Sequence, residues 1–244
     1  MSARLVLCYH AISPTWRAAL SVRPEELDRQ LTCLARRGWR GVTFDELVAD
    51  RGQGKRLAVT FDDAFLSVLI HAKPVLDALG MPATVFAPTT FMAERQPLRW
   101  SGIAQWQDTA DAHELQSMSW DDLRQLANHG WEIGAHTRTH PLLTRLDDAT
   151  ARAEVEQALG RACRTIAYPY GGVDDRIAAL ARELGYAAGA SLSSSLRNRG
   201  PHCWPRVGVY HGDDFNRFRL KANRVTRAIR STPLWPESDP AKSR

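Results

Sequence analysis

Long apolar runs are absent from this 244-residue chain, and no stretch approaches the roughly 20 residues that a bilayer-spanning helix requires. Cysteine is scarce and scattered: Cys8, Cys33, Cys163 and Cys203 form no Cys-x-x-Cys pair, which argues against a zinc knuckle or a redox dithiol and leaves buried or incidental thiols. Ahead of Leu5-Val6-Leu7-Cys8-Tyr9 there is no room for a basic region, a hydrophobic segment and a cleavage site, so the expectation is a cytoplasmic protein. Internal repeats are missing, and the only compositionally unusual segment is the Pro-containing tail after Thr232.

Acidic residues are missing from one place. Between Asn216 and Trp235 there are six cations (Arg217, Arg219, Lys221, Arg224, Arg227, Arg230) and no Asp or Glu, so removing this segment takes the net charge from +5 to nearly neutral. It reads as a solvated basic helix and tail over 216–244, with peripheral contact to an anionic surface as the alternative. Nucleic-acid binding is disfavoured, because the stretch has no aromatic stacking platform and no docking motif.

What is present is an ordinary globular composition, 44% hydrophobic and 24% charged, in a chain long enough for one large α/β domain. Short apolar runs alternate with helical patterns throughout, as expected for β-α units around a parallel sheet. The expected strands are 5–9, 41–44, 57–61, 83–87, 131–134, 165–168, 186–190 and 206–209. Helices are expected from Pro24 to Gly38, from Ser119 as cap to Gly130, and from Asp174 as cap to Gly185. Thr89 to Met118 fits neither pattern and reads as an excursion, either a substrate loop or a structural lid.

Polar groups gather where the expected strands end, the position at which parallel α/β barrels place their active sites. His10 follows the first strand, Asp62-Asp63 the third, His136 and His140 the fifth, and Tyr170 the sixth. Adjacent carboxylates repel unless a cation or a proton separates their roles, although an Asp-Asp pair also serves simply to cap a helix. Two histidines four apart can face one ion if the segment turns helically.

The segments Thr60-Phe61-Asp62-Asp63, Gly134-Ala135-His136-Thr137-Arg138-Thr139-His140-Pro141 and Ala167-Tyr168-Pro169-Tyr170-Gly171 resemble, in order, the first three motifs of the polysaccharide deacetylases, the NodB-homology family of carbohydrate esterase family 4. The resemblance spans roughly residues 4–210. It implies a distorted (β/α)7 barrel as a single domain over 1–215 and removal of N-acetyl groups from an N-acetylhexosamine-containing glycan or glycan precursor. It further implies that Asp63, His136 and His140 bind a divalent metal, zinc first, with cobalt, manganese, nickel or iron as alternatives. Asp62 would be the general base, and the Tyr170 backbone N–H would help hold the oxyanion.

The late Leu-x-His motif that carries the acid in many members is missing; Trp204-Pro205-Arg206-Val207-Gly208-Val209-Tyr210-His211 stands there instead. Tyr9-His10 with Pro205-Arg206 resembles a branch in which the early histidine takes over, favouring His10 as the acid over His211 and His202. Arg206 would then hold Asp62 ionised, with an ordinary surface salt bridge as the alternative. Ala64 replaces a glycine common in relatives, and the family's fourth motif has no counterpart in 189–195. Trp100, Trp106 and Trp120 could stack on a sugar ring or serve as core anchors. The competing functions are hydrolysis of a small non-sugar amide, sugar binding without turnover, and the iron site of an oxygenase.

Overall fold

The computed structural model describes residues 3–49, 52–93, 95–156 and 163–236. Eleven strands appear among them: β1 Ala3–Tyr9, β2 Ala11–Ile12, β3 Ser21–Val22, β4 Trp39–Val42, β5 Lys55–Asp62, β6 Thr84–Ala87, β7 Glu132–Ala135, β8 Thr165–Ala167, β9 Ala188–Ser191, β10 Trp204–Pro205 and β11 Val207–Gly208. The α-helices are α1 Pro24–Arg36, α2 Phe44–Ala49, α3 Lys73–Ala78, α4 Trp120–Asn128, α5 Asp148–Glu156, α6 Asp175–Glu183, α7 Phe215–Ala222 and α8 Arg224–Arg230.

Every pairing in the main sheet is parallel, in the order β10-β9-β8-β7-β6-β5-β1-β11. β10 and β11 are separated only by Arg206, so one short stretch pairs with β9 at Trp204–Ala190 and with β1 at Leu7–Val207. That stretch brings the two sheet edges together. The result is a nearly closed (β/α)7-type barrel in a single domain, with β4 beside the first half of β5 and β6 beside the second. β2 and β3 form a separate two-stranded sheet.

Each of the eight stretches expected to be extended contributes to this barrel, with two differences. The second strand ends at Val42, because Thr43 and Glu46 cap α2 reciprocally: the Thr43 N–H donates to Glu46 Oε2 at 2.9 Å and the Glu46 N–H to Thr43 Oγ1 at 3.3 Å. The last is broken at Arg206, whose neighbours pair with opposite edges of the sheet. α4 and α6 start at their expected caps, Ser119 in a capping box with Asp122 and Asp174 on the Ile177 N–H.

β1, β5 and β6 are buried over most of their length, as parallel strands covered by helices must be. The main core joins Leu5, Leu7, Leu57, Val59, Phe61 and Val85 to α1 through Leu27, Leu31 and Leu34. The excursion over 89–118 also belongs to this core, burying Met92, Leu98, Ile103, Leu115 and Met118. Antiparallel bridges from Pro97 to Gln116 and from Phe65 to Ser117 close it. The basic C-terminal stretch forms two helices, because Asn223 accepts the Val225 N–H and starts α8 anew; Phe218 of α7 is buried in the main core.

Candidate active site

The carboxyl ends of β1, β5, β7 and β8 meet at one end of the barrel, and the local backbone there is unusual. Six non-glycine residues among those described have positive φ, and five of them (Asp63, Ala64, Thr137, His140 and Tyr170) belong to these strand-end turns. Left-handed backbone is costly for side chains with a Cβ, above all a β-branched one such as Thr137, so its clustering marks a place where geometry outweighs local preference.

The turn after β5 separates the two carboxylates. Asp63 has φ 73 and Ala64 φ 54, which turns the Asp63 side chain away from that of Asp62. Asp62, fully buried, receives both guanidinium arms of Arg206: Nη1 donates to Oδ1 at 2.6 Å and Nη2 to Oδ2 at 2.8 Å. Arg206 is wholly inaccessible, and it also donates to Thr60 Oγ1 at 3.1 Å and to the Ser191 carbonyl at 3.2 Å. Burial pushes the Asp62 carboxyl up, but the Arg206 charge and hydrogen bonds, together with the nearby His136 and His10, outweigh it and hold the group below the usual carboxylate range. The sequence reading of Arg206 against Asp62 thus corresponds to a bidentate pair in the barrel.

Asp63 faces the histidines. Its Oδ1 lies 3.3 Å from His136 Nε2 and 3.2 Å from His140 Nε2, with all three side chains buried. The 136–140 segment is no helix; it is a loop in which Thr137 and His140 take left-handed conformations. The Thr137 hydroxyl accepts the His140 N–H at 3.0 Å. Glu154 of α5 anchors the loop from below, accepting the N–H groups of Arg138 and Thr139 and the Thr139 hydroxyl.

The donor set fits a divalent metal. His136 Nδ1 lies 2.8 Å from the Ala167 carbonyl, so that nitrogen carries a hydrogen and Nε2 is the atom turned toward Asp63. Asp63 Oδ1 has no hydrogen-bond donor of its own, and His140 Nδ1 is likewise without a partner. Lone pairs converging on one buried point repel unless a proton or a cation sits between them, and two imidazoles with one carboxylate are the donors of a three-ligand catalytic zinc-type site. Against the upward push of burial, the two imidazoles hold the Asp63 carboxyl far below its usual range, so it stays ionised.

His10 follows β1 and is mostly buried; its ring stacks on Tyr210 at 6.3 Å and its Nδ1 has no partner. Ligand-type atoms of His10, Cys8 and Asp62 all lie within 4.8 Å of one another. Burial lowers the His10 pKa, partly opposed by Asp63 and Asp62. His202 lies elsewhere in its contacts, with Nε2 2.8 Å from the Tyr186 carbonyl, and His211 is exposed. Tyr170 adopts φ 59 in a tight turn whose ring stands 4.7 Å from His140. The turn requires glycine next, since a Cβ on Gly171 would lie 2.0 Å from the Leu192 carbonyl oxygen.

Trp100, from the excursion, stacks on His140 with centroids 4.0 Å apart, while Trp106 packs edge-on against buried Trp16 at 5.7 Å and Trp120 lies against the core. Sequence reasoning missed three contributors: Cys8, whose thiol donates to Asp62 Oδ2 at 3.5 Å; Thr60, beneath Arg206; and Glu154, beneath the histidine loop. Cys8 immediately precedes Tyr9-His10 on a strand that pairs with β5, and that register was its available signal.

Comparison with known proteins agrees with this geometry. Residues 49–189, more than half of the chain, match the family described as polysaccharide deacetylase. The chain belongs to the polysaccharide deacetylase family. YxkH of Bacillus subtilis (strain 168), named as a polysaccharide deacetylase, is 24% identical over 221 residues, covering 85% of this chain and 71% of its own. Among solved structures, the Streptococcus pyogenes deacetylase PplD, in complex with acetate, superposes with a TM-score of 0.72 at 19% identity, covering 90% of this chain and 97% of that one. IcaB from Ammonifex degensii gives a TM-score of 0.66 at 26% identity over 94% of this chain and 97% of its own. Membership makes this polysaccharide deacetylase a hydrolase directed at acetyl groups on sugars. No helix among the described residues is long and apolar enough to cross a membrane.

Proposed function

We propose that this deacetylase hydrolyses the N-acetyl amide of an N-acetylhexosamine-containing glycan or glycan precursor, releasing acetate and a free amine, with a divalent metal held by Asp63, His136 and His140. The observation that carries this reading is the convergence of those three buried ligand atoms beside a separately paired Asp62. A divalent ion there, zinc by preference for two imidazoles and a carboxylate, supplies Lewis-acid polarisation of the carbonyl and acidifies water.

Asp62 accepts the proton that the attacking water gives up. The Arg206 pair keeps it ionised and oriented, and a carboxylate held below its usual range passes a proton on rather than storing it. His10 delivers a proton to the departing nitrogen, since an amine anion is a poor leaving group. Because burial lowers its pKa, His10 rests as the neutral ring and becomes a donor only after receiving the proton released in the first step. The Tyr170 backbone N–H, in the left-handed turn beside His140, is assigned to the carbonyl oxygen as negative charge develops there. Trp100 stacks on the His140 ring and so helps to hold that ligand in place.

Acetate release from free, oligomeric and lipid- or nucleotide-linked N-acetyl sugars tests the reading. The expected result is release from at least one sugar class, cut roughly a hundredfold or more in His10→Ala and unchanged in His211→Ala. Hydrolysis of a small non-sugar amide with no acetate from any sugar would overturn the substrate. An unaffected His10→Ala would overturn the acid.

A further inference from the structure

Among the described residues, five large hydrophobic side chains stand exposed, and four of them (Leu220, Val225, Ile229 and Leu234) fall within 15 residues of the C-terminal stretch, from 51% to 94% exposed. In α8 the exposed face is formed by Arg224, Val225, Ala228 and Ile229, while Thr226, Arg227 and Arg230 turn toward the body. The inward cations are committed to the protein: Arg227 Nη1 donates to the Arg4 carbonyl at 2.6 Å and Arg230 Nε to the Ser194 carbonyl at 2.8 Å. Arg217 and Lys221 of α7 pair with buried Asp213. Arg219 and Arg224 are exposed beside the apolar residues.

The cations continue past the two helices. A groove of about 540 Å³ between α7–α8 and the amino ends of β1, β4 and β5 is lined by Arg37, Lys55, Arg219, Arg224 and Arg227 together with Trp39, and by no acid. These groups lie at the amino ends of the strands, whereas Asp62, Asp63 and the histidines follow the carboxyl ends, so this pole is opposite the candidate active site. Among the described residues, the exposed face of α8 and the adjoining groove interleave apolar side chains with cations and carry no carboxylate, which matches one surface chemistry, the headgroup zone of an anionic bilayer. There the aliphatic tips enter the acyl boundary and the guanidinium groups meet phosphates.

We propose that α7, α8 and the adjoining basic rim form a peripheral docking surface for an anionic membrane. Seated in this way, the barrel turns its metal-ligand pole toward solvent, open to a glycan. The surface is independent of the deacetylase reading, because none of its residues contributes to the site around Asp63.

Vesicle co-sedimentation of the full chain tests it. Binding is expected to vesicles of equimolar phosphatidylcholine and phosphatidylglycerol and not to phosphatidylcholine alone, and to weaken as salt rises. Leu220→Ser/Val225→Ser/Ile229→Ser should lower partitioning roughly tenfold or more. Arg219→Gln and Arg224→Gln should each lower it roughly fivefold. Melting temperature and acetate release from a soluble substrate should remain those of the unaltered chain. Equal binding to both vesicle types, no binding, or binding indifferent to these variants overturns the proposal. So does a concentration-dependent dimer that the serine variant abolishes, which would assign the face to a second copy, or duplex DNA displacing the protein from vesicles.

Discussion

Asp62 and Asp63 share a peptide bond and almost nothing else. The left-handed turn at Asp63 and Ala64 sends one carboxylate to a guanidinium and the other to two imidazoles, which relieves the repulsion that two adjacent buried anions would otherwise suffer. The Arg206 pair makes Asp62 a stability element as well as a chemical one. Its carboxyl is depressed in the folded state, so its contribution is complete above the ordinary aspartate value of about 3.9 and is lost as pH falls through the folded one. Arg206→Met removes the charge that opposes burial and leaves a buried anion unpaired, at a cost of about 3–5 kcal/mol near neutral pH. Because burial raises the carboxyl once Arg206 is gone, the gap between the variant and the unaltered chain should begin to narrow above the ordinary aspartate value and go on narrowing as pH falls through the depressed value of the unaltered chain, read by urea denaturation at several pH values. A gap that stays constant across that range would show that the pair's charge does not matter.

At the scale of elements, the histidine loop depends on a residue it does not contain. Glu154 on α5 takes three donors from Arg138 and Thr139, and these fix a segment whose Thr137 and His140 adopt left-handed backbone. Glu154→Ala should therefore lower metal affinity roughly tenfold to a hundredfold while all three ligands remain, measured by competition with a chromophoric chelator. Unchanged affinity would mean that the loop holds its shape alone. The same loop shows where sequence reading reaches its limit. The spacing of His136 and His140 suggested a helical turn, but the two rings are brought together by an irregular loop, because side-chain anchors such as Glu154 override local periodicity. Strands were legible from their apolar runs, and caps from Ser119 and Asp174. The split at Arg206 was not, since it arises from pairing with two edges that are distant in sequence. Cys8 read only as a buried or incidental thiol for a similar reason: only the register of β1 on β5 places it against Asp62.

For the whole molecule, barrel closure and chemistry depend on the same short segment. Residues 204–208 join β9 to β1, and between the two pairings Arg206 reaches inward to Asp62, so the strand that closes the ring also delivers the charge that orients the base. The central claim is that Asp63, with the two histidines, holds a metal while Asp62 does chemistry beside it. Metal content and acetate release, measured together on Asp62→Asn and Asp63→Asn, test it most directly. About one divalent ion per chain is expected in Asp62→Asn with release lowered roughly a hundredfold to ten-thousandfold, and loss of both ion and release in Asp63→Asn, with chelator reproducing the latter in the unaltered chain. Full acetate release from metal-free protein, or an Asp63→Asn chain that keeps both its ion and its rate, would contradict it.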